Sequence, residues 1–328
     1  MKRKPLVSIV ILNYNGKEFV DRCLHSVLNT DYPNFEVIFV DNASTDRSLE
    51  HAKKKFGHDP RLKFVANDKN YGFAGGNNIG LDHACGEYIV FLNNDTQVDS
   101  NWLSELIQVM DSDSSIGAAQ SKLLMMHDPK RIDACGLMLT PYGILLERGS
   151  GEVDSGQYDE TAEIFAAKGA AIAVKREVLN EVGPFDKDYF VFSEDVDLCW
   201  RIWLRGYRVV LVPKSIVFHE MAGTLSQLQS RPRPYWDKWY KNTLVTFLKN
   251  LSLKYLARIF LAFVLVTLGG LIKNKALGHL PLFFRANVEI MANFRSIWKK
   301  RMWVQYKIRK KKDEEILPRL MYRIPLIG

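Results

Sequence analysis

The sequence predicts an α/β protein whose central sheet is mostly parallel and flanked by helices. Its first two-thirds alternates short apolar runs, rich in β-branched and aromatic residues, with segments that carry apolar residues at helical spacing. Each apolar run is followed by Asn, Asp or Gly, as strands are where the chain leaves a sheet. The length of 328 residues accommodates two domains, or one large α/β domain with an appendage.

The elements follow in order along the chain. Strands are expected at residues 6–12, 36–40, 62–66 and 88–92, and helices at 17–28, 46–56 and 76–84. The stretch 128–160 holds many Gly and acidic residues and is expected to form a hairpin or mobile loops. Structure then resumes at 164–174, with a helix near 175–182, an aromatic-rich helix within 190–206, and strands at 207–212 and 215–219.

The net charge of +8 is distributed unevenly. Residues 1–248 carry 28 basic and 33 acidic side chains, whereas residues 249–328 carry 17 basic and 4 acidic ones. We therefore expect a first domain over residues 1–248, with halves of about 1–125 and 126–248, and a distinct C-terminal region over 249–328. A mildly acidic first domain repels nucleic acid, so a nucleic-acid-binding protein is not expected.

The C-terminal region has the composition of a membrane-associating segment. Residues 259–272 are 14 uncharged residues, fewer than the ~20 of a spanning helix, so spanning and lying in the interface both stay open. Residues 295–312 hold nine basic residues and no acidic one, interleaved with Trp, Tyr and aliphatic side chains. That mixture suits a helix on an anionic membrane surface, and a solvated basic helix of a bundle is the alternative.

Two features bear on where the protein resides. Basic residues at positions 2–4 precede an apolar run, as in a secretory signal, but the run ends in Asn-Tyr-Asn-Gly without a small-residue cleavage site, so a first strand is favoured. The four cysteines are far apart and form no CxxC pair, which excludes a zinc knuckle or a redox motif and indicates buried thiols. We therefore expect a cytoplasmic protein.

Polar side chains follow four consecutive strands, at what is expected to be one edge of the sheet. They are Asn13, Asp41, Asn67 with Asp68, and Asn93-Asn94-Asp95. Asp41 could accept hydrogen bonds from a base or a ribose, and turn formation is an equal alternative. Asp95 could bind a hard divalent cation, because Mg²⁺ takes one or two carboxylates and completes its shell with phosphate and water.

A glycine-rich turn at residues 70–78, Asn-Tyr-Gly-Phe-Ala-Gly-Gly-Asn-Asn, is expected to open the third helix. Glycine permits close approach of the backbone, and the N–H groups at a helix start favour a phosphate. The pattern is neither GxGxxG nor a P-loop, so neither a Rossmann dehydrogenase nor a P-loop NTPase is expected. A plain turn without a ligand is the alternative.

Residues 193–197, Ser-Glu-Asp-Val-Asp, place three carboxylates in four positions at a predicted helix start. The helix dipole favours acidic residues there, but three together repel one another, so stability alone is an incomplete explanation. Asp197 is expected to pair with Arg201, which leaves Glu194 or Asp195 as a general base. His219 ends a strand; a structural role is the simpler interpretation, and a neutral imidazole could also bind the cation held by Asp95.

Taken in order, these motifs resemble the inverting glycosyltransferases of family 2, which have the GT-A fold, and especially their rhamnosyltransferase-like branch. The resemblance rests on residues 7–16, 40–46, 70–77, 92–96 and 194–198, with Arg201 and Gly206-Tyr207. Singly these motifs are weak, but five in the same order form a specific pattern over about residues 7–249. The resemblance implies a GT-A catalytic domain. Together with the composition of residues 249–328, it leads us to expect association with the inner face of the cell membrane, peripherally or through a single span.

The resemblance also implies a role for each matching residue. Asp41 would contact the base or ribose of a nucleotide. Asp195 would be the catalytic base, with Glu194 beside it, while Asp95 would bind Mg²⁺ or Mn²⁺ against a diphosphate, with His219 near the metal. The other residues would line the nucleotide-sugar pocket: Asn13, Asn70, Gly75, Gly76, Asn77, Asn93 and Asn94. Asn93 stands where many members have Asp, so the site carries one negative charge less.

The reaction implied by the resemblance is transfer of a sugar, such as rhamnose or another hexose, from a dTDP- or UDP-linked donor. The acceptor would be a hydroxyl of a lipid-linked saccharide or polysaccharide in cell-envelope glycan synthesis. Two other functions stay open: a nucleotidyltransferase that makes a sugar nucleotide, and a non-catalytic, membrane-tethered protein that binds one. The first lacks the expected Gly-rich loop after strand one, and the presence of Asp95 with Glu194-Asp195 disfavours the second. A homo-oligomer is compatible with the sequence.

Overall fold

Alternating strands and helices build the first part of the chain, as the sequence predicts. In the computed structural model, which describes residues 4–220, 236–273 and 277–321, the strands are β1 (Val7–Asn13), β2 (Phe35–Asp41), β3 (Leu62–Ala66) and β4 (Tyr88–Asn93). The helices between them are α1 (Lys17–Leu28), α2 (Ser48–Phe56) and α3 (Gly72–Asp82). Strands β3, β2, β1 and β4 lie side by side in parallel, so their carboxyl ends meet at one edge.

The second part of the sheet is mixed rather than parallel. Its strands are β5 (Thr96–Val98), β6 (Ile116–Met125), β7 (Asp128–Ala134), β10 (Ala162–Glu163), β11 (Ala171–Lys175) and β12 (Arg208–His219), while β8 (Leu137–Leu139) and β9 (Leu145–Glu147) form a separate hairpin. β11 lies antiparallel between β4 and β6, and β12 runs parallel to β6. The α/β class is confirmed, and the sheet is mixed because β5, β7, β10 and β11 each run antiparallel to a neighbouring strand.

The remaining helices pack on both faces of the sheet or on one another. They are α4 (Trp102–Ser112), α5 (Arg176–Val182), α6 (Glu194–Arg205), α7 (Trp236–Asn250), α8 (Leu253–Lys273), α9 (Leu280–Ala292), α10 (Phe294–Trp303) and α11 (Asp313–Leu320), with a π-helical turn at Val304–Ile308. Because side chains alternate along a strand, Ile9 packs in the core layer of α1 and α4, and Val10 packs in the layer of α3 and α6. Two apolar layers therefore enclose the sheet.

Three local predictions have clear outcomes. The stretch 128–160 contains the predicted hairpin. The two strands expected at 207–212 and 215–219 are one strand, β12, whose register shifts between Val212 and Ile216, where Pro213 lacks a backbone donor. Three of the four cysteines are buried as expected, but Cys85 is exposed.

The helices after β12 pack against α6. Phe247 of α7, Phe263 of α8 and Ile297 of α10 are buried in the same core layer as Trp200 of α6. Side chains from beyond α7 also satisfy the carbonyl groups at its end: Arg301 donates to the Leu248 and Leu251 carbonyls, and Gln305 to those of residues 249 and 250. Residues 294–308 are thus attached to the domain by polar as well as apolar contacts.

Candidate active site

The carboxyl ends of β1 and β2 bring Asn13 and Asp41 side by side. The two residues are register partners, and Asn13 Nδ2 donates a hydrogen bond to Asp41 Oδ1 over 2.8 Å. Asn13 Nδ2 also lies 2.7 Å from Ser48 Oγ, while Asn13 Oδ1 accepts a hydrogen bond from Asn94 Nδ2 over 2.7 Å. Asn13 is fully buried. Its side chain therefore fixes Asp41 and Asn94 relative to each other, and direct contact with a nucleotide stays a prediction.

The side chains of Asn42 and Asn70 hold the start of α3. Asn70 Oδ1 accepts hydrogen bonds from Asn42 Nδ2 over 2.9 Å and from the Gly72 N–H over 2.8 Å. Gly72 has a φ of +72°, and a Cβ there would lie 2.3 Å from the Phe190 carbonyl oxygen, so the position requires glycine. The Phe73 N–H donates to that carbonyl over 2.7 Å. Two of the first N–H groups of α3 are thus bonded within the protein.

The glycine-rich run lies inside α3, because the helix begins at Gly72, four residues before the predicted start at 76. A Cβ on Gly76 would lie 2.4 Å from Leu12 Cδ1. Asn77 is buried, and its Nδ2 donates to the carbonyl of residue 73 over 3.0 Å. Gly76 therefore allows α3 to pack closely on β1, which is a structural role. Contact of Gly75, Gly76 and Asn77 with a nucleotide stays a prediction.

The end of β4 leads directly into Asn93, Asn94 and Asp95. The Asn93 N–H donates to the Ala170 carbonyl over 3.0 Å, which connects this end of β4 to the segment before β11. Asn94 is held by its hydrogen bond to Asn13. Asp95 is nearly buried, with a side chain that is 8% exposed. The structure therefore brings these three residues to the same edge as Asp41, as the sequence predicts.

His219, at the end of β12, lies between two carboxylates. Its Nε2 is 3.4 Å from Asp95 Oδ1, and its Nδ1 is 2.8 Å from Asp133 Oδ2. Burial opposes a charge on the imidazole, but the hydrogen bonds to Asp133 and Asp95 raise the pKa of His219 to about 9. The structure thus brings the two predicted metal ligands together. Without a bound cation the charged imidazole is therefore favoured at neutral pH. The sequence does not reveal Asp133, the second carboxylate, and binding of a cation by a neutral His219 stays a prediction.

Asp133 lies beside His219, and Lys168 lies beside Asp133, although neither is among the site residues predicted from the sequence. Asp133 is fully buried, and Lys168 Nζ lies 2.7 Å from its Oδ1 and 3.1 Å from Glu147 Oε1. Burial works against the charge of Asp133, but His219 and Lys168 lower the pKa of this carboxyl group below its usual value. The available signal is a lone carboxylate in an apolar stretch, Ile-Asp-Ala-Cys at residues 132–135.

The base candidates lie at the start of α6, after two residues in a strained conformation. Phe192 and Ser193 have φ of +72° and +68°, in the left-handed region that such residues rarely adopt. Asp195 is partly exposed, and its Oδ2 accepts a hydrogen bond from the Gly169 N–H over 2.8 Å. Glu194 is buried, and its Oε2 has no hydrogen-bond partner in the part of the chain that the structure describes. Of the two side chains, only that of Asp195 is therefore accessible to solvent.

Burial shifts the protonation of both carboxyl groups in the same direction. Burial and the charge of the adjacent Asp195 raise the pKa of Glu194 well above its usual value. Burial also raises the pKa of Asp195, although the N–H groups of Gly169 and Val196 lower it. A general base is most effective when its pKa lies near the operating pH. The raised pKa of Asp195 is consistent with that requirement.

Asp197, the third carboxylate of the cluster, has a structural role. Asp197 Oδ2 lies 3.0 Å from Arg201 Nε, which confirms the predicted pair, and its Oδ1 lies 2.8 Å from Lys249 Nζ on α7. All three side chains are at most 2% exposed. Although burial opposes the charge, Lys249 and Arg201 lower the pKa of Asp197 below its usual value. Asp197 therefore joins α6 to α7 and is not available as a base.

Two consecutive residues, Gly169 and Ala170, connect the base to the other site residues. Gly169 holds Asp195, and Ala170 holds Asn93 at the end of β4. From there the chain leads to Asn94, which bonds to Asn13 and through it to Asp41. A continuous path of hydrogen bonds and adjacent residues therefore runs from Asp41 to Asp195. The side chains predicted for separate roles are therefore connected in the structure.

The donor set at Asp95 fits a divalent cation that keeps open coordination positions. Within residues 4–220, 236–273 and 277–321 no group of three or more His, Cys, Asp or Glu side chains is arranged to hold a metal alone. Asp95 and His219 offer one carboxylate and one imidazole nitrogen. Mg²⁺ is usually bound by one or two carboxylates together with substrate phosphates and water. The residues present therefore fit a cation whose binding is completed by a phosphate-bearing ligand.

Comparison with known proteins gives consistent matches. The family described as Glycosyl transferase family 2 matches residues 8–128. The family described as Glycosyl transferase family group 2 matches residues 88–299, which is more than half of the chain. The two matches overlap over residues 88–128 and together cover every predicted site residue.

Curated relatives share part of their length with this chain. O-antigen biosynthesis protein RfbC of Myxococcus xanthus is 31% identical over 226 residues, which cover 66% of this chain and 18% of that protein. Poly-beta-1,6-N-acetyl-D-glucosamine synthase of Staphylococcus epidermidis is 24% identical over 258 residues, which cover 78% of this chain and 60% of that protein. The chain therefore spans less than two thirds of the length of these relatives.

Solved structures share the fold over most of the chain. Mannosyltransferase PcManGT from Pyrobaculum calidifontis, in complex with GDP-Man and Mn²⁺, has a TM-score of 0.55 at 20% identity and covers 93% of this chain and 86% of that one. S. aureus TarS 1-349, in complex with UDP-GlcNAc, has a TM-score of 0.60 at 18% identity and covers 92% and 86%. At these identities the likeness shows the fold alone. Together with the family matches, it shows that the chain belongs to glycosyltransferase family 2 and has the GT-A fold.

Proposed function

We propose that this protein transfers a hexose, such as rhamnose, from a dTDP- or UDP-linked donor to an acceptor hydroxyl, with inversion at the anomeric carbon. The observation that carries the proposal is the path of contacts from Asp41 through Asn13 and Asn94 to Asp195. It connects a candidate nucleotide contact to a candidate base through hydrogen bonds and adjacent residues. Transfer between two substrates requires such a fixed separation of donor and acceptor groups.

The donor would occupy the carboxyl edge of β1, β2 and β4. Asp41 would accept hydrogen bonds from the base or the ribose, held by Asn13 Nδ2 at 2.8 Å. Asn70, Asn93 and Asn94 lie at the ends of the elements around this edge and offer amide donors and acceptors to the sugar nucleotide. These side chains would orient the sugar nucleotide, whose diphosphate is part of the substrate.

The diphosphate would lie beside Asp95 and His219. A Mg²⁺ or Mn²⁺ ion bound there would stabilise the negative charge that the leaving diphosphate gains. The carboxylate of Asp95 would hold the ion, and His219 Nε2, 3.4 Å from Asp95 Oδ1, is close enough to be a second ligand. Asn93 in place of a second carboxylate leaves this site with one negative charge less, which reduces repulsion of the diphosphate.

Asp195 would remove the proton from the acceptor hydroxyl as the hydroxyl oxygen attacks the anomeric carbon. Its Oδ2 is fixed by the Gly169 N–H, so the carboxylate has a defined direction at the start of α6. Positioned base catalysis contributes about 10²–10⁴-fold to a rate. Glu194, buried and without a partner for Oε2 among the described residues, keeps a second carboxyl group near Asp195 and does not face the acceptor.

A lipid-linked saccharide or polysaccharide of the cell envelope is the acceptor class we favour. The relatives named for O-antigen biosynthesis and for poly-beta-1,6-N-acetyl-D-glucosamine synthesis support this class. An acceptor attached to lipid requires that the enzyme reach a membrane surface. The C-terminal helices offer such a contact.

Many of the side chains that α8, α9 and α10 expose to solvent are apolar. We call them the C-terminal apolar surface, which comprises Leu253, Leu261, Leu265, Val266, Ile272, Phe284, Val288, Met291, Phe294, Trp298, Met302 and Trp303, all at least 40% exposed. Exposed basic residues such as Arg285, Arg295 and Lys299 lie on the same helices. Apolar groups with cations among them suit an anionic lipid surface at the inner face of the cell membrane.

The helix α8 would lie in the membrane interface and not span the bilayer. Of the residues that the structure describes, it forms the one helix that is long and apolar enough to cross a membrane. However, Phe263 at its centre is buried against Trp239, Tyr240 and Phe247 of α7. Since α7 also carries charged residues and packs on the catalytic domain, the centre of α8 cannot enter hydrocarbon without separating these contacts.

The proposed function is tested with the full-length protein and a panel of nucleotide sugars. We expect one dTDP- or UDP-sugar to bind in a manner that depends on Mg²⁺ or Mn²⁺, as measured by calorimetry. Asp195→Asn should leave that binding unchanged and lower turnover about 10²–10⁴-fold. Asp82→Asn, at the exposed end of α3, is the control and should turn over normally.

Three results would overturn the proposal. Wild-type turnover by Asp195→Asn would show that this carboxylate is not the base. Formation of a sugar nucleotide from a nucleoside triphosphate and a sugar phosphate, without transfer to an acceptor, would indicate a nucleotidyltransferase. Donor binding with no transfer to any lipid-linked or free saccharide would favour a binding protein without catalytic activity.

A further inference from the structure

Asp133 is a fully buried carboxylate that the proposed reaction does not use directly. It lies at the end of β7, outside every motif from which the family resemblance is drawn. Its oxygens contact His219 Nδ1 at 2.8 Å and Lys168 Nζ at 2.7 Å. We propose that Asp133 is a positioning residue, which holds His219 so that Nε2 is directed at Asp95 and at a divalent cation bound there. The inference rests on the proposed function, because it presupposes that cation.

The hydrogen bond determines which way the imidazole is protonated and turned. An ionised carboxylate accepts hydrogen bonds and cannot donate them, so His219 Nδ1 must carry a proton towards Asp133 Oδ2. In the neutral imidazole the lone pair then lies on Nε2, which is 3.4 Å from Asp95 Oδ1. A histidine that binds a metal through one nitrogen usually donates its other N–H to a carboxylate or carbonyl in this way.

Lys168 supplies the charge that keeps Asp133 ionised. A fully buried carboxylate without a partner is costly, and Lys168 Nζ lies 2.7 Å from Asp133 Oδ1. Because Lys168 balances the charge, Asp133 can accept the Nδ1–H bond whether or not His219 is itself charged. Lys168 also pairs with Glu147 of the hairpin at 3.1 Å, so its ammonium group is held from two sides.

The experiment separates the hydrogen-bond acceptor from the charge pair. The double variant Asp133→Asn, Lys168→Met removes both charges and keeps an amide oxygen for His219 Nδ1. The double variant Asp133→Leu, Lys168→Met removes the acceptor as well and keeps a side chain of similar length. Glu36→Gln is the matched control. Glu36 lies at the start of β2, away from this edge of the sheet, and its buried carboxylate pairs with Lys63.

Binding of Mn²⁺ in the presence of UDP or dTDP is measured by electron paramagnetic resonance, without reference to turnover. If the double variant that carries Asp133→Leu does not fold, Asp133→Ala with Lys168→Met takes its place as the acceptor-free variant. We expect the acceptor-free variant to bind Mn²⁺ about 10–100-fold more weakly than the wild type. The Asn-containing variant and Glu36→Gln should stay close to the wild-type affinity.

The outcomes distinguish this inference from the proposed function. If the wild type binds Mn²⁺ and the acceptor-free variant binds it equally well, Asp133 does not position His219, and the metal site itself stands. Equal weakening in the Asn-containing and acceptor-free variants would also overturn the inference, since the charge pair and not the hydrogen bond would then matter. If the wild type binds no Mn²⁺ with either nucleotide, the proposed metal site fails and the inference fails with it.

Discussion

The Gly169 N–H donates a hydrogen bond to Asp195 Oδ2 over 2.8 Å, and the carbonyl of the next residue accepts the Asn93 N–H over 3.0 Å. The backbone before β11 therefore holds the candidate base on one side and the end of β4 on the other. A Cβ on Gly169 would lie 3.3 Å from Asp195 Oδ2, so the close approach leaves little room for a side chain. The direction of the Asp195 carboxylate thus depends on a backbone segment and not on a neighbouring side chain.

The raised pKa of Asp195 predicts the acid side of the pH profile. Burial raises this pKa, and the base must be ionised to accept a proton. We expect turnover at saturating donor to fall as the pH decreases through a midpoint above about 3.9, the ordinary value for Asp. Turnover measured from about pH 4 to 9 in mixed buffers checks this. A profile that stays flat down to the acid end of that range would contradict the assignment of Asp195.

Glu194 should destabilise the protein at neutral pH. Burial and Asp195 raise its pKa, so the folded protein favours the protonated form. Above about pH 4.3, the ordinary pKa of Glu, the unfolded state loses this proton while the folded state keeps it. The free energy of unfolding therefore falls as the pH rises from there towards the pKa in the folded state.

Glu194→Gln should therefore raise the free energy of unfolding at about pH 7 and have little effect near pH 4. Denaturant unfolding followed by circular dichroism at the two pH values measures the difference. Glu105→Gln on α4, whose side chain is not buried, is a control that should change neither value. A variant less stable than the wild type at neutral pH would contradict this, since the folded protein would then favour the ionised carboxylate.

Lys249 should contribute strongly to the stability of the fold. Its Nζ lies 2.8 Å from Asp197 Oδ1 and 2.7 Å from Asp186 Oδ2, and the side chain is 2% exposed. Lys249→Met leaves both carboxylates with one cation fewer, so we expect a loss of about 3 kcal/mol, at the lower end for a broken buried pair. Lys254→Met, at a side chain that is 75% exposed, should change stability by less than about 0.5 kcal/mol. Urea unfolding of both variants measures this, and equal stabilities would refute it.

The C-terminal apolar surface should bind anionic vesicles. Phe284, Val288 and Met291 are 63%, 64% and 77% exposed on one face of α9. Replacing all three with Gln removes apolar area that a bilayer would cover, and we expect roughly a tenfold or greater loss of co-sedimentation with anionic phospholipid vesicles. The melting temperature should stay unchanged, because these side chains are not part of the core.

The matched control for that experiment replaces exposed apolar side chains elsewhere. Tyr142 and Val153, which are 50% and 53% exposed in the first domain, are changed to Gln. Their vesicle binding should equal that of the wild type. If the α9 variant binds as well as this control, the membrane does not contact α9.

The parts of the fold that local sequence determines could be predicted. Short apolar runs located β1 to β4 with errors of one residue at most at either end, because strands buried in the sheet are apolar along most of their length. The start of α3 was predicted four residues late, since Gly75 and Gly76 suggest a turn when the sequence is considered alone. The structure places Gly76 against Leu12 of β1, a tertiary contact that outweighs the low helix propensity of glycine.

The site could be predicted only where its residues stand in short motifs. Asp41, Asp95 and Asp195 each follow a recognisable strand or open a helix, so local pattern singles them out. Asp133 and Lys168 do not, because their pairing depends on how β7 and the segment before β11 meet across β6. Asp133 and Lys168 are 35 positions apart, and the order of the strands brings them together. No local pattern in the sequence therefore indicates that they pair.

The backbone carbonyl groups at the C-terminal end of α7 accept hydrogen bonds from side chains of α10 and of the π-helical turn after it. Arg301 and Gln305 provide these hydrogen bonds, and Lys249 at the same end of α7 neutralises Asp186 and Asp197. A shortened protein ending near residue 250 would expose these polar groups together with buried aromatic surface, and would be expected to aggregate. A preparation free of detergent is better sought by polar substitutions on the outer face of α9, which leave that helix end intact.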